Sequence, residues 1–227
     1  ANFEEAYINQ HVGLIRFLKE AQTKYFPYIL MSAFCRNQYY TVQSGMKNSF
    51  RLDNIQNILT PVPPLGEQIR IAKKLSSIWF HIQQIDDESE TAADIISKAK
   101  SKILDLAIRG QLVPQNPNDE PASVLLERIL AEKEELICQG KIKRDKKESV
   151  IFRGEDNSYY VRQGTHTESI DDQFIFDLPD NWKWCSLLNV AKIELGKTLD
   201  SVKNTGTNHP YLRSVNVRWN EVDLADL

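Results

Sequence analysis

Apolar residues fall on a 4-3 repeat across residues 68–109. Ile71, Leu75, Ile78, Ile82, Ile85, Ala92, Ile96, Ala99, Ile103 and Leu106 take alternate steps of four and three, and Ser89 is the one polar step. Sustained over about five heptads, this 3.5-residue period keeps one stripe of a helix facing a partner helix. Neither Gly nor Pro interrupts the run. An unbroken helix of this length spans roughly 60 Å, about twice the diameter of a small domain. The pattern therefore predicts a rod joining two bodies. Its seam, Ile71, Leu75, Ile78, Ile82, Ile85, Ile96, Ile103 and Leu106, needs a partner helix from later in the chain, from a second copy or from another protein.

The flanks carry weaker periodicities. Residues 7–16 alternate after the polar cluster Asn9, Gln10 and His11 and predict a strand. From Pro27, the positions Tyr28, Leu30, Met31 and Phe34 recur at helical spacing and predict one short helix. Residues 43–50 are a polar, Gly-bearing loop, Leu52 opens a brief helical turn, and Pro61, Pro63 and Pro64 force a stiff extended connection into the rod. Gly110 stops the rod. A second helix runs from Pro121 to about Gln139, apolar at Leu125, Leu126, Ile129, Leu130, Leu136 and Ile137, and can fold back on the rod. The basic run at residues 141–147 reads as a solvated linker. Residues 151–176 read as a strand-poor connector or arm, relieved by a hairpin of 150–152 with 159–161. A new folded unit opens at Asp177 with Trp182, Trp184, Leu187, Leu188, Val190 and Ile193, and residues 212–217 alternate as a half-buried strand. Each end unit is short for a self-sufficient core.

Composition, 41% hydrophobic and 26% charged, describes a soluble folded chain. No run approaches eighteen apolar residues and the first residues lack a signal-peptide pattern, so a cytoplasmic location is expected. Cys35, Cys138 and Cys185 are odd in number and far apart, which points to buried or idle thiols rather than a disulfide framework or zinc site. The net charge of −3 conceals a gradient: residues 1–60 hold six Lys/Arg against four Asp/Glu, and residues 151–227 hold eight against twelve. Phosphate-cradling, metal-ligating and nucleophile–base motifs do not stand out, so no catalytic role is expected. The residues suited to a DNA groove are the loop group Lys47, Asn48, Ser49 and Arg51, then Arg36 at the end of the first helix, and Lys197, Lys203, Arg213 and Asn216 in the last unit. Basic and amide side chains of this kind supply phosphate contacts for register and base-edge contacts for choice.

Several motifs in series resemble the specificity (S) subunit of type I restriction-modification systems: NQHV at residues 9–12, LTPVPPLGEQIRI at 59–71, GQLVPQ at 110–115, NDEPA at 118–122, and Leu178-Pro179 followed by Trp182 and Trp184. The resemblance implies an α+β fold in which a long coiled-coil spacer helix joins two partial α/β target-recognition domains. It places the C-terminal part of a first recognition domain at residues 1–64, the spacer at 65–110, a linker with the second helix and the basic run at 111–173, and the N-terminal part of a second recognition domain at 174–227. The implied partners are double-stranded DNA, methylation (M) subunits and restriction (R) subunits, with S-adenosylmethionine, ATP and Mg in those partner subunits and none bound by this chain. In the family the spacer acts as a ruler between the halves of a split target, so one added heptad, about 10 Å, corresponds to roughly three base pairs. The acidic net charge keeps a second reading open, a coiled-coil assembly scaffold without DNA binding of its own. The complementary ends also allow two copies to pair through the rod, the tail of one meeting the head of the other.

Overall fold

The computed structural model describes residues 7–9, 12–21, 23–40, 52–86, 93–144, 148–173, 176–196, 211–218 and 221–223. In chain order its elements are strands β1 (Tyr7–Ile8) and β2 (Gly13–Phe17), helices α1 (Tyr25–Leu30), α2 (Ala33–Tyr40) and α3 (Leu52–Gln56), and strand β3 (Leu59–Val62). Helices α4 (Leu65–Asp86), α5 (Ala93–Ile108) and α6 (Ala122–Cys138) follow. Strands β4 (Ser149–Arg153), β5 (Tyr159–Gln163), β6 (His166–Ser169) and β7 (Lys183–Ser186), the single turn α7 (Leu187–Val190), and strands β8 (Ala191–Leu195), β9 (Tyr211–Leu212), β10 (Val217–Arg218) and β11 (Glu221–Val222) complete the order.

The head and the tail of the chain share their sheets. β2 pairs antiparallel with β8, with Ile15 opposite Ile193, and β3 pairs antiparallel with β7, with Pro61 opposite Trp184. β1 pairs parallel with β9. Two short units, each with too little apolar surface for a stable core, thus bury one common core. Tyr25, Phe26, Ile29 and Ile58 from the head join Trp182, Trp184, Leu187 and Ile193 from the tail. Ring contacts cross the same boundary, Tyr25 edge-on to Trp182 at 6.3 Å and Phe34 against Trp184 at 5.3 Å. The head–tail complementarity legible in the sequence is satisfied here within one chain.

The continuous rod is not what forms. α4 rises roughly 33 Å and α5 roughly 24 Å, yet the two ends that a rod would hold roughly 60 Å apart meet. Gln115 Nε2 donates to the carbonyl of Gly110, just past α5, and to the Glu67 carboxylate in the first turn of α4. The two helices therefore run antiparallel and pack against one another. The seam is buried inside this hairpin. Ile71, Leu75, Ile82 and Ile96 are buried and Ile78 is half-buried, whereas the side chain of Ile85 and all of Ala92 lie outside the described residues. In α5 the heptad reading is one position off: Leu104, Ala107 and Ile108 are buried, and Ile103 and Leu106 only half-buried. α5 also packs on α1 and α2, so its buried face is broader than a two-helix seam.

Three further differences concern local elements. Residues 151–176 are not strand-poor: β4, β5 and β6 form an antiparallel three-stranded sheet, with the expected 150–152 hairpin as its first pair. The first helix begins at Tyr25 rather than Pro27 and a second, α2, follows it after a break at Met31 and Ser32. Residues 212–217 are not one strand, because a 3-10 turn at Ser214–Asn216 separates β9 from β10.

Candidate nucleic-acid interface and its supporting joint

The signature residues converge on one buried joint rather than on an open face. Glu67 is fully buried. Its carboxylate accepts from Trp182 Nε1 at 2.9 Å and from Gln115 Nε2 at 2.5 Å, so the opening of α4, the linker and the tail are held by one side chain. Burial pushes the Glu67 carboxyl above its ordinary value of 4.5, partly opposed by those two hydrogen bonds and by the charge of Arg70. Next to it, buried Gln68 accepts from Thr23 Oγ1 at 2.8 Å and donates to the carbonyl of Pro63 at 3.0 Å, tying α4 to the head. Arg70 forks onto both oxygens of Asp119 at 3.2 and 2.6 Å, which fastens the NDEPA turn to α4. The amide of Ala122 donates to the carbonyl of Asn181, bringing the start of α6 to the same place.

Gly110 is the tightest point of this joint. It has φ +68°, and a Cβ there would lie 2.6 Å from Pro179 Cγ and 3.2 Å from Trp182 Cζ2. Gly110→Ala is accordingly expected to cost about 2 kcal/mol or more from backbone strain and crowding. That is a fall of roughly 4–8 °C in melting temperature for a chain of this size, read by circular dichroism. An unchanged melt would mean that the linker does not close over the hairpin end.

The residues singled out as DNA contacts distribute differently. Lys47, Asn48, Ser49, Arg51, Lys197 and Lys203 lie outside the described residues. Their anchor points are described: Arg51 directly precedes α3, and Lys197 follows Gly196 at the end of β8. Arg36 is half-buried on α2, and its Nε is buried without a hydrogen-bond acceptor among the described residues. Arg213 is exposed. Asn216 is buried, and its amide closes the turn by accepting from the Arg213 backbone N–H at 2.9 Å and donating to the carbonyl of Asp223 at 3.1 Å, so its side chain shapes the loop from inside. Gln38, near the end of α2, meets β3 as a neighbouring strand would, donating to the carbonyl of Leu59 at 3.0 Å and accepting from its N–H at 2.8 Å.

The remaining candidate chemistry is quiet. Cys35 and Cys185 are buried and their thiols are pushed up to about 12 by burial, which keeps them protonated and unreactive. Among the described residues no three His, Cys, Asp or Glu side chains are grouped as metal ligands would be. No helix among the described residues is long and apolar enough to cross a membrane.

Residues 1–88 match the family model for the type I restriction modification DNA specificity domain. The chain is 45% identical over 98 residues to the specificity subunits of the type I restriction enzymes EcoAI and EcoEI of Escherichia coli. Each of those alignments covers 43% of this chain and 14% of the relative. The specificity subunit of the type I restriction enzyme MjaVIII of Methanocaldococcus jannaschii is 33% identical over 117 residues, which are 51% of this chain and 27% of that protein. No solved structure gives a significant match. The chain thus spans a small part of the length of these relatives, and its likeness to type I specificity subunits lies in residues 1–88 and in the aligned stretch of 98 residues.

Proposed function

We propose that this chain is a non-catalytic DNA-recognition element of a type I restriction-modification complex, acting in the cytoplasm. It reads part of a bipartite target and positions methylation and restriction subunits on it. The observation that carries this reading is the match of residues 1–88 to the specificity domain. What the structure adds in support is a division of labour. The signature side chains are taken up by a joint that fixes the hairpin, the linker and the shared head–tail core, which leaves the basic and amide residues that precede α3 and follow β8 in sequence to meet DNA. Lys47, Asn48, Ser49, Arg51, Lys197 and Lys203 are the proposed contacts, together with Arg36 and Arg213. Base choice needs such side chains on a rigid support, because a hydrogen-bond pattern in a groove discriminates only when the donors are held in register. The α4–α5 hairpin is the proposed arm for the methylation subunits.

The test is enrichment from a random duplex pool by the full chain with a methylation subunit. A short fixed sequence should emerge, and Lys47→Ala with Arg51→Ala should relax it. A pool that stays random, with co-purification intact, would favour an assembly scaffold over a DNA reader.

A further inference from the structure

A cleft of about 460 Å³ opens between the end of α6, the start of α3 and β8, floored by Leu18, Leu188 and Ile193 and edged by four lysines. The lysines are not equivalent. Lys133 is buried, paired with Glu148 at 2.6 Å and donating to the carbonyl of Leu188 at 3.1 Å, so its charge is cancelled inside the wall. Lys192 pairs with Glu194 at 2.8 Å, a carboxylate that Arg16 also holds at 2.6 Å. Lys141 and Lys143 are exposed, and among the described residues no carboxylate lies within ion-pairing distance of either. Their placement is built. Gly140 adopts φ +69° and its N–H donates to Ile137 O while Lys141 N–H donates to Leu136 O, a pair of bonds that ends α6 and turns the chain back across the cleft. Arg144, paired with Glu134, then clamps the far side of the turn to α6.

The cleft is also lined by described residues close in sequence to the proposed DNA contacts, Leu52, one residue after Arg51, and Ala191 to Glu194 of β8, the strand that precedes Lys197. We infer that Lys141 and Lys143 bind phosphate groups of duplex DNA at this cleft, as positioning residues that set the register of the chain on the duplex. The inference rests on the DNA-recognition reading above. It assigns a role to a basic run that sequence alone reads as a solvated linker.

Binding of a labelled duplex of random sequence to the full chain, measured by anisotropy over a salt series, tests it. In the Lys141→Gln, Lys143→Gln double variant the slope of log K against log salt should be shallower by about two, one for each phosphate that is no longer neutralised. Affinity at about 0.1 M salt should fall roughly 10- to 100-fold by the same relation. Lys183→Gln, an exposed lysine outside the cleft, should leave both unchanged. Matching thermal melts show that the variants are folded. Wild-type binding with an unchanged slope in the double variant overturns the inference and leaves the DNA reading standing. Absence of any salt-dependent complex with the wild type overturns the DNA reading and the inference with it.

Discussion

Trp182→Ala is expected to lower the melting temperature by roughly 6–20 °C, the consequence of about 3–5 kcal/mol lost from a packed core. Trp182 is 2% exposed, stands edge-on to Tyr25, and is one of two donors to the buried Glu67 carboxylate. The substitution therefore opens a cavity and strips a buried acceptor of its partner together. Trp182→Phe separates the two effects. It keeps a six-membered aromatic ring, removes the N–H and leaves a smaller cavity than Ala, and should cost about 1–3 kcal/mol for the buried acceptor left unsatisfied, plus a smaller packing loss. Equal melts for Phe and Ala would place the whole effect on the hydrogen bond. The carboxyl itself gives the joint a pH signature. Because the folded state raises its pKa above the ordinary 4.5, folding favours the protonated form. Stability from this group is thus full at acidic pH and is lost as pH rises from 4.5 through the raised folded value. Glu67→Gln cannot titrate, so the melting temperature of wild type minus that of the variant should decline across this window. A difference that stays flat from about pH 4 to 8 would mean that Glu67 is not held in the buried joint.

What the sequence revealed and what it hid divide along a physical line. Burial periodicity is a local property, so Ile71, Leu75, Ile82 and Ile96 are legible as buried positions without knowledge of any partner. The identity of the partner is not local. The same 4-3 spacing serves a rod paired with another chain and a hairpin paired with itself, and the decision rests on contacts such as Gln115 to Glu67, 48 residues apart. In α5 the pattern misleads by one position because Leu104, Ala107 and Ile108 answer to α1 and α2 as well as to α4. The three-stranded sheet of β4, β5 and β6 is half visible, since its exposed strand His166–Ser169 has no buried face and hence no alternation to read. The signature motif is conspicuous, yet its chemistry is not. Glu67, Gln68 and Arg70 look like solvent-facing polar residues at the start of a helix, and only the approach of Trp182, Thr23 and Asp119 shows that they are internal fasteners. For the candidate contacts, polarity marks Asn216 as available, whereas its two backbone partners occupy the amide inside a turn.

The reversal between α4 and α5 is open to a distance measurement with a large expected effect. Lys74 and Lys102 are exposed, one on each helix, and both accept a cysteine without touching the core. Cys138 is the exposed native thiol among the three and is replaced by Ser, while Cys35 and Cys185 are shielded by burial. On a continuous helix the two labelled positions would stand roughly 42 Å apart at 1.5 Å per residue. In the hairpin each lies two to three turns from the shared end at the Glu67 joint, and packed helices have axes about 8–10 Å apart, so spin labels should report roughly 10–25 Å. Ile96→Asp then tests the cause. It places a charge at a position that is 7% exposed, which should cost about 2–4 kcal/mol and broaden the distribution toward long distances. A narrow peak near roughly 40 Å in the parent would restore the rod and detach the end of α5 from Glu67. A short distance that survives Ile96→Asp unchanged would show that the hairpin is held by the Glu67 joint alone, with the apolar face of α5 contributing little to the reversal.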